Sequence, residues 1–155
     1  MNTTILSELY TSYFQQSPTE IIKLPQAGSD RTYYRLSDDT NCAIGSVNHD
    51  KRENDIFIQL AQHFKSKGVN VPEIYGVSED GLLYLQEDLS GTALYDLVKG
   101  KPFTEEIENL YKDTLAALVN LQVDGAKDFD FNICYPVQEF DRTSMFWDLN
   151  SFKYY

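Results

Sequence analysis

The chain has 155 residues, of which 42% are hydrophobic and 14% aromatic, enough for a core in one domain or one and a half. Its 24 acidic and 13 basic side chains give a net charge of −11, which argues against non-specific binding to nucleic acid or to an anionic membrane surface. No apolar run is long enough to span a bilayer, a secretory signal is lacking, and the two cysteines lie far apart, so a cytoplasmic location is expected.

The first half of the chain predicts a small sheet interrupted by one internal helix. Runs rich in β-branched and aromatic residues alternate with turn sequences such as SDDTN and EDG. Asp50 and Glu53 have the spacing of a capping box, and the apolar residues that follow recur every three or four positions until Gly68. The predicted elements are a helix at 3–16, strands at 20–24, 32–36 and 42–47, a helix between Asp50 and Gly68, and strands at 71–77 and 82–86.

After Gly91 the strand pattern ceases and helical patterns follow. A short helix is predicted at 93–98, and Thr104 is a suitable N-cap for a longer helix that ends at Gly125. The last element, about 137–155, is helix-like and rich in aromatic residues. So many aromatic side chains exposed at a natural terminus would lower solubility, and we therefore expect the chain to be part of a longer protein.

This order of elements predicts an α+β fold, with a small antiparallel sheet and a helix on one face, joined to a helical region. Four segments resemble one family of enzymes: AGSDRTYYRL at 27–36, VPEIYG at 71–76, LYLQEDLSGTAL at 83–94 and MFWDLN at 145–150. They resemble the aminoglycoside-phosphotransferase-type small-molecule kinases, which are protein-kinase-like, and more narrowly the branch that includes bacterial cell-wall amino-sugar kinases. The resemblance implies a kinase-like N-lobe at residues 1–88, with a five-stranded antiparallel sheet and one helix after an N-terminal helix, and the start of a helical C-lobe at 89–155.

The resemblance also implies an activity for the complete protein. It would use ATP and Mg²⁺ to phosphorylate a hydroxyl group of a small molecule, most simply a sugar or amino sugar, with the rest of the C-lobe supplied in cis. A kinase for aminoglycosides or choline-like alcohols is one alternative, and a non-catalytic, degenerate kinase-like binding module is another. No catalytic or metal-binding aspartate has the sequence context this chemistry requires, so neither role is assigned to a residue of this chain.

The segment AGSD at 27–30 has two interpretations. In a plain hairpin turn, Gly28 takes a backbone conformation that other residues avoid, while Ser29 and Asp30 bond to nearby backbone groups. In the kinase interpretation, the same three residues let backbone N–H groups approach the ATP phosphates. Arg31 or Arg35 would add positive charge from one face of the following strand, and Arg35 is the arginine assigned to the nucleotide.

The third predicted strand lacks a residue that protein kinases need. Their third strand carries a lysine that holds the α- and β-phosphates and pairs with a helix glutamate. The comparable run here is CAIG, starting at Cys42, and the candidate substitutes for the lysine are Lys51, Arg52 and Arg35. Glu53 has the position of the helix glutamate, although the capping box would also account for it.

The run QEDL, which starts at Gln86, is the predicted hinge between the two lobes, because it follows a buried apolar strand. By the family pattern, the carbonyl of Glu87 and the N–H of Leu89 would bind the edge of adenine, with Gln86 at the cleft. Ile44 and Leu85 would supply apolar walls for the ring.

The alternative interpretation of the hinge is an acidic loop that needs no ligand. Asp88 and Ser90 would then serve only to cap a helix that starts near Thr92. His49 and His63 are isolated in the sequence, so no metal site is predicted.

Overall fold

The computed structural model describes residues 2–26, 28 and 30–154. It confirms an α+β fold, in which a five-stranded antiparallel sheet with flanking helices precedes a helical C-terminal region. The elements are α1 (Asn2–Phe14), β1 (Glu20–Lys23), β2 (Thr32–Ser37), β3 (Cys42–Val47), α2 (Lys51–Ser66), β4 (Ile74–Val77), β5 (Leu83–Glu87), α3 (Leu94–Val98), α4 (Glu105–Val123), a 3-10 turn (Phe131–Ile133) and α5 (Arg142–Tyr154).

The sheet has the strand order β1-β2-β3-β5-β4, and every neighbouring pair is antiparallel. The first three strands form a meander. In the β2–β3 turn, the Asp38 carboxylate accepts backbone N–H bonds from Thr40 and Asn41 at 2.7 and 2.8 Å. After α2 the chain returns through the edge strand β4 to β5, which pairs with β3 in the interior of the sheet.

The core lies between the sheet and α1. Leu6 and Tyr10 of α1 are fully buried against side chains of β2, β3 and β5. The helix lies close to the sheet at Gly45, where an added Cβ would come within 2.8 Å of both terminal carbons of Leu6. A larger residue at this position in β3 would therefore force the Leu6 side chain to shift. The core members from the sheet are Leu36, Ala43, Val47, Leu83 and Leu85.

Several predicted elements differ from the structure in detail; for example, the last helix, expected from about 137, begins at Arg142. The strand expected at 71–77 begins only at Ile74, because Pro72 has no N–H to donate to the ladder. At the start of α2, the Asp50 carboxylate accepts the Glu53 N–H at 3.1 Å, which confirms Asp50 as the N-cap. The capping box is not completed, because the Glu53 carboxylate bonds to other residues.

The helical region contacts α2 through the connection that follows α4. Nε2 of His63 lies 2.8 Å from the carbonyl oxygen of Gly125, and the centroids of the His63 and Phe129 rings lie 4.9 Å apart. Most of the large apolar side chains of α4 are exposed: Ile107 is buried, whereas Leu115 is 59% exposed. None of the helices in the described part of the chain combines the length and apolarity that a membrane span requires.

Candidate functional site

One row of side chains crosses the sheet face opposite α1. Arg35 of β2 is paired with Ile44 of β3, and Ile44 is paired with Gln86 of β5, so the three share this face. Leu85 precedes Gln86 and therefore points to the opposite face, where it is fully buried in the core beneath α1. The expectation that Leu85 forms a wall beside Ile44 is wrong, because neighbouring strand residues alternate between faces.

Asp88, which directly follows β5, holds the end of this strand in place through its hydrogen bonds. Its carboxylate accepts a 2.7 Å bond from Nε of Arg35, a 3.0 Å bond from the Cys42 thiol and a 2.8 Å bond from the Ser90 N–H. The Asp88 side chain is only 4% exposed. Asp88 does not cap the next helix, because α3 starts at Leu94 with an N-cap that makes no side-chain hydrogen bond.

This contact set shifts two pKa values in opposite directions. Burial by itself raises the pKa of Asp88, but the bonds from Cys42, the Ser90 N–H and Arg35 outweigh it and hold that pKa below its usual range. Burial and the neighbouring Asp88 carboxylate raise the pKa of the Cys42 thiol to about 11. The cluster therefore holds a charged carboxylate and a neutral thiol at neutral pH.

The remaining predicted hinge residues have different environments. The Glu87 N–H donates to the carbonyl of Glu73 at 2.8 Å, and the Glu87 carboxylate accepts the Glu73 N–H at 3.1 Å and lies 3.7 Å from Nζ of Lys65. Glu87 thus joins β5 to the segment before β4. The Leu89 side chain is 59% exposed. Among the described residues, no group accepts a hydrogen bond from the Leu89 N–H.

A cleft of about 860 Å³ lies beside the predicted phosphate loop. Gly28 has open space around it, since an added Cβ would meet nothing within 4 Å. Ser29, which we also assigned to the phosphates, lies outside the described residues. The cleft is lined by Asp30 and Arg31, by the β3–α2 connection, and by the first turn of α2 including Glu53. The structure thus brings Asp30 and Glu53 together at one site.

Glu53 holds Arg31 in this cleft. One carboxylate oxygen of Glu53 lies 2.9 Å from the Arg31 guanidinium, and the other accepts a 2.9 Å bond from the Asn48 side chain. The guanidinium also lies 3.5 Å from the Tyr84 hydroxyl and 5.3 Å from the centre of the Phe57 ring. Arg31 therefore contacts both α2 and β5. Sequence spacing contains no signal for the Tyr84 contact, because it depends on strand register, whereas Asn48 lies only five positions before Glu53.

The other cations near the cleft have different partners. Nζ of Lys51 bonds to both carboxylate oxygens of Asp55, at 3.0 and 3.2 Å. The Arg52 guanidinium lies 4.4 Å from the centre of the Tyr135 ring. In the described part of the chain, no group of three or more His, Cys, Asp or Glu side chains is arranged to hold a metal ion.

Comparison with known proteins assigns no family to the chain. No protein-family model matches it, and no curated protein sequence matches it significantly. The resemblance to small-molecule kinases therefore stays a prediction, and a functional proposal depends on the geometry of the hinge and the cleft.

Proposed function

We propose that this chain is the ATP-binding part of a phosphotransferase that phosphorylates a hydroxyl group of a small molecule, a sugar or amino sugar. In this proposal the sheet with α1 and α2 is a kinase-like N-lobe, and residues 89–155 begin the helical C-lobe. The observation that carries it is the row of Ile44 and Gln86 on the face that α1 leaves free, next to a crossover fixed by Asp88.

The hinge supports a site for adenine. A purine ring needs an apolar surface, a donor for one ring nitrogen and an acceptor for its amino group. The half-buried side chain of Ile44 offers the surface, and the Leu89 N–H has no acceptor among the described residues. The carbonyl of Glu87 is the proposed acceptor for the amino group. Gln86 lies beside Ile44 in the register of the sheet and borders the same face.

The phosphates are proposed to lie toward the loop at 27–30, at the other end of the same strands. Arg35, in the adenine row, and Arg31, in the cleft, are separated by four strand positions, or about 13 Å at the ordinary strand rise. This separation suits a ligand with a base at one end and a triphosphate at the other. Arg35 is paired with Asp88, so its proposed role is to fix the hinge rather than to contact the phosphates.

Phosphoryl transfer also needs an acceptor for the hydroxyl proton and ligands for Mg²⁺. The proposal places these groups in the remainder of the helical lobe of the complete protein, in cis. The residues of this chain would bind and orient ATP, while the rest of the helical lobe would bind the alcohol.

Isothermal titration of the chain with ATP and Mg²⁺ tests the nucleotide site. Leu89→Pro removes the N–H that would bind the purine, whereas Leu89→Ala keeps it, and the exposed side chain contributes little packing. We expect Leu89→Pro to bind ATP about tenfold more weakly, and Leu89→Ala to bind within about twofold of wild type. No heat with the wild-type chain, or equal affinities for the two variants, would overturn this site.

The transferase activity needs a second measurement, on the complete protein. A coupled assay of ADP release with a panel of sugars and amino sugars should show release that one class of sugar stimulates. Nucleotide binding without stimulation by any sugar would overturn the proposed substrate class. Stimulation by aminoglycosides or choline-like alcohols instead would support the alternative kinase.

A further inference from the structure

We propose that Arg31, held by Glu53, is the cation that contacts the nucleotide phosphates in place of the lysine that the third strand lacks. This inference rests on the proposed function and names the phosphate-binding residue of the same site. Arg31 is one of the two arginines that the sequence offered to the phosphate loop, but it is not among the three candidate substitutes for the lysine.

The contacts of those three candidates argue against them. Arg35 is bound to the buried Asp88 at the hinge, Lys51 is bound to Asp55, and Arg52 lies over the ring of Tyr135. Moving any of them to the phosphates would break a contact seen in the structure. Arg31 already lines the cleft, so a small rotation of its side chain is enough to bring it to a phosphate.

The environment of Arg31 holds its guanidinium in one place. The side chain is only 10% exposed, and its partner Glu53 is itself held by a 2.9 Å bond from Asn48. A fixed guanidinium loses little conformational entropy when a phosphate binds, and its planar set of five donors suits phosphate oxygens. Glu53, the more distant Tyr84 hydroxyl and the Tyr33 side chain occupy only part of this set of donors.

An unsatisfied donor gives a second, independent indication. Nε of Arg31 is buried and has no hydrogen-bond partner among the described residues. A buried donor without a hydrogen-bond partner is unfavourable. If Arg31 served only to form a structural ion pair, we would expect its Nε to donate a hydrogen bond within the protein. A small rotation of the side chain toward the cleft would present Nε and a terminal nitrogen together to one phosphate.

Binding of ATP, ADP and adenosine to matched variants tests the inference. For Arg31→Met we expect ATP and ADP to bind about tenfold or more weakly, with adenosine within about twofold of wild type, because adenosine has no phosphate. Arg31→Lys should recover part of the loss. The matched control is Lys112→Met, which removes an exposed cation of α4 that does not line the cleft and should leave all three affinities within about twofold.

The outcomes separate this inference from the proposed function. If wild type binds none of the three ligands, the proposed function fails. If wild type binds ATP and Arg31→Met binds it equally well, only the assignment of Arg31 is overturned. If Arg31→Met does not fold, as circular dichroism would show, Glu53→Gln decides: a loss of ATP affinity of about threefold or more supports the assignment, and an unchanged affinity overturns it.

Discussion

Arg35 in β2 and Asp88 beyond β5 form an ion pair with 2.7 Å between Nε and Oδ2, although 53 positions separate them in the chain. The carboxylate is almost completely buried, whereas the Arg35 side chain is 44% exposed. A buried carboxylate is stable only while its hydrogen bonds are made, so this pair and the Cys42 thiol determine where the chain leaves the sheet.

Asp88→Asn should therefore lower the free energy of unfolding by about 1–3 kcal/mol, because it removes the charge that three donors share. Urea unfolding followed by circular dichroism measures this change. Asp39→Asn is the matched control, since Asp39 is exposed and should change stability by less than about 0.5 kcal/mol. Equal effects of the two substitutions would show that the Asp88 contacts do not stabilise the fold.

Ile44 and Leu85 should respond differently to truncation, because they lie on opposite faces of the sheet. Leu85→Ala should cost about 2–5 kcal/mol, as expected for a side chain buried in the core. Ile44→Ala should cost less stability and should weaken ATP binding several-fold. Urea unfolding and ATP titration of both variants measure the two effects. A larger loss of stability for Ile44→Ala would contradict the assigned faces.

Tyr10 should make the fold sensitive to alkaline pH. Burial, with the 3.0 Å bond to the Asp38 carboxylate, raises the pKa of Tyr10 to about 12, above the value of about 10 in an unfolded chain. Its contribution to stability is therefore complete below about pH 10 and is lost as the pH rises through about 12. Tyr10→Phe should reduce the loss of stability over this range.

Urea unfolding midpoints at several pH values between 8 and 12 measure this dependence on pH. Tyr154→Phe is the control, because Tyr154 is 71% exposed. At pH 7, Tyr10→Phe should cost about 1 kcal/mol for the lost hydrogen bond. If Tyr10→Phe and wild type lose stability in parallel above pH 10, the hydroxyl does not have the environment described here.

Cys42 should react slowly with alkylating reagents. With a pKa of about 11, it has a much smaller thiolate fraction at pH 8 than an ordinary cysteine, whose pKa is about 8.5. In a Cys134→Ser background, iodoacetamide should modify Cys42 at least about 100-fold more slowly than it modifies a small free thiol. Mass spectrometry measures the rate, and unfolding in urea should abolish the protection. Fast modification of the folded chain would contradict the raised pKa of this thiol.

The amino-acid sequence by itself determined the order and nature of the elements, because the signals for them are local. Asp50 and Thr104 were predicted as N-caps, and both accept the expected N–H bonds in α2 and α4. The helix expected within about 137–155 is present as α5, where Asp141 accepts the N–H of Ser144 at 2.8 Å. Caps, turns and apolar periodicity depend on residues within a few positions of one another.

Only the tertiary structure decided which of these residues meet. Glu53 had two roles open in the sequence, and the tertiary structure pairs its carboxylate with Arg31, the residue that directly precedes β2. Arg35 was assigned to phosphates, but the pairing of β2 with β3 and of β3 with β5 places it beside Asp88. Such contacts depend on strand register and on the packing of α1 and α2, which no local pattern encodes.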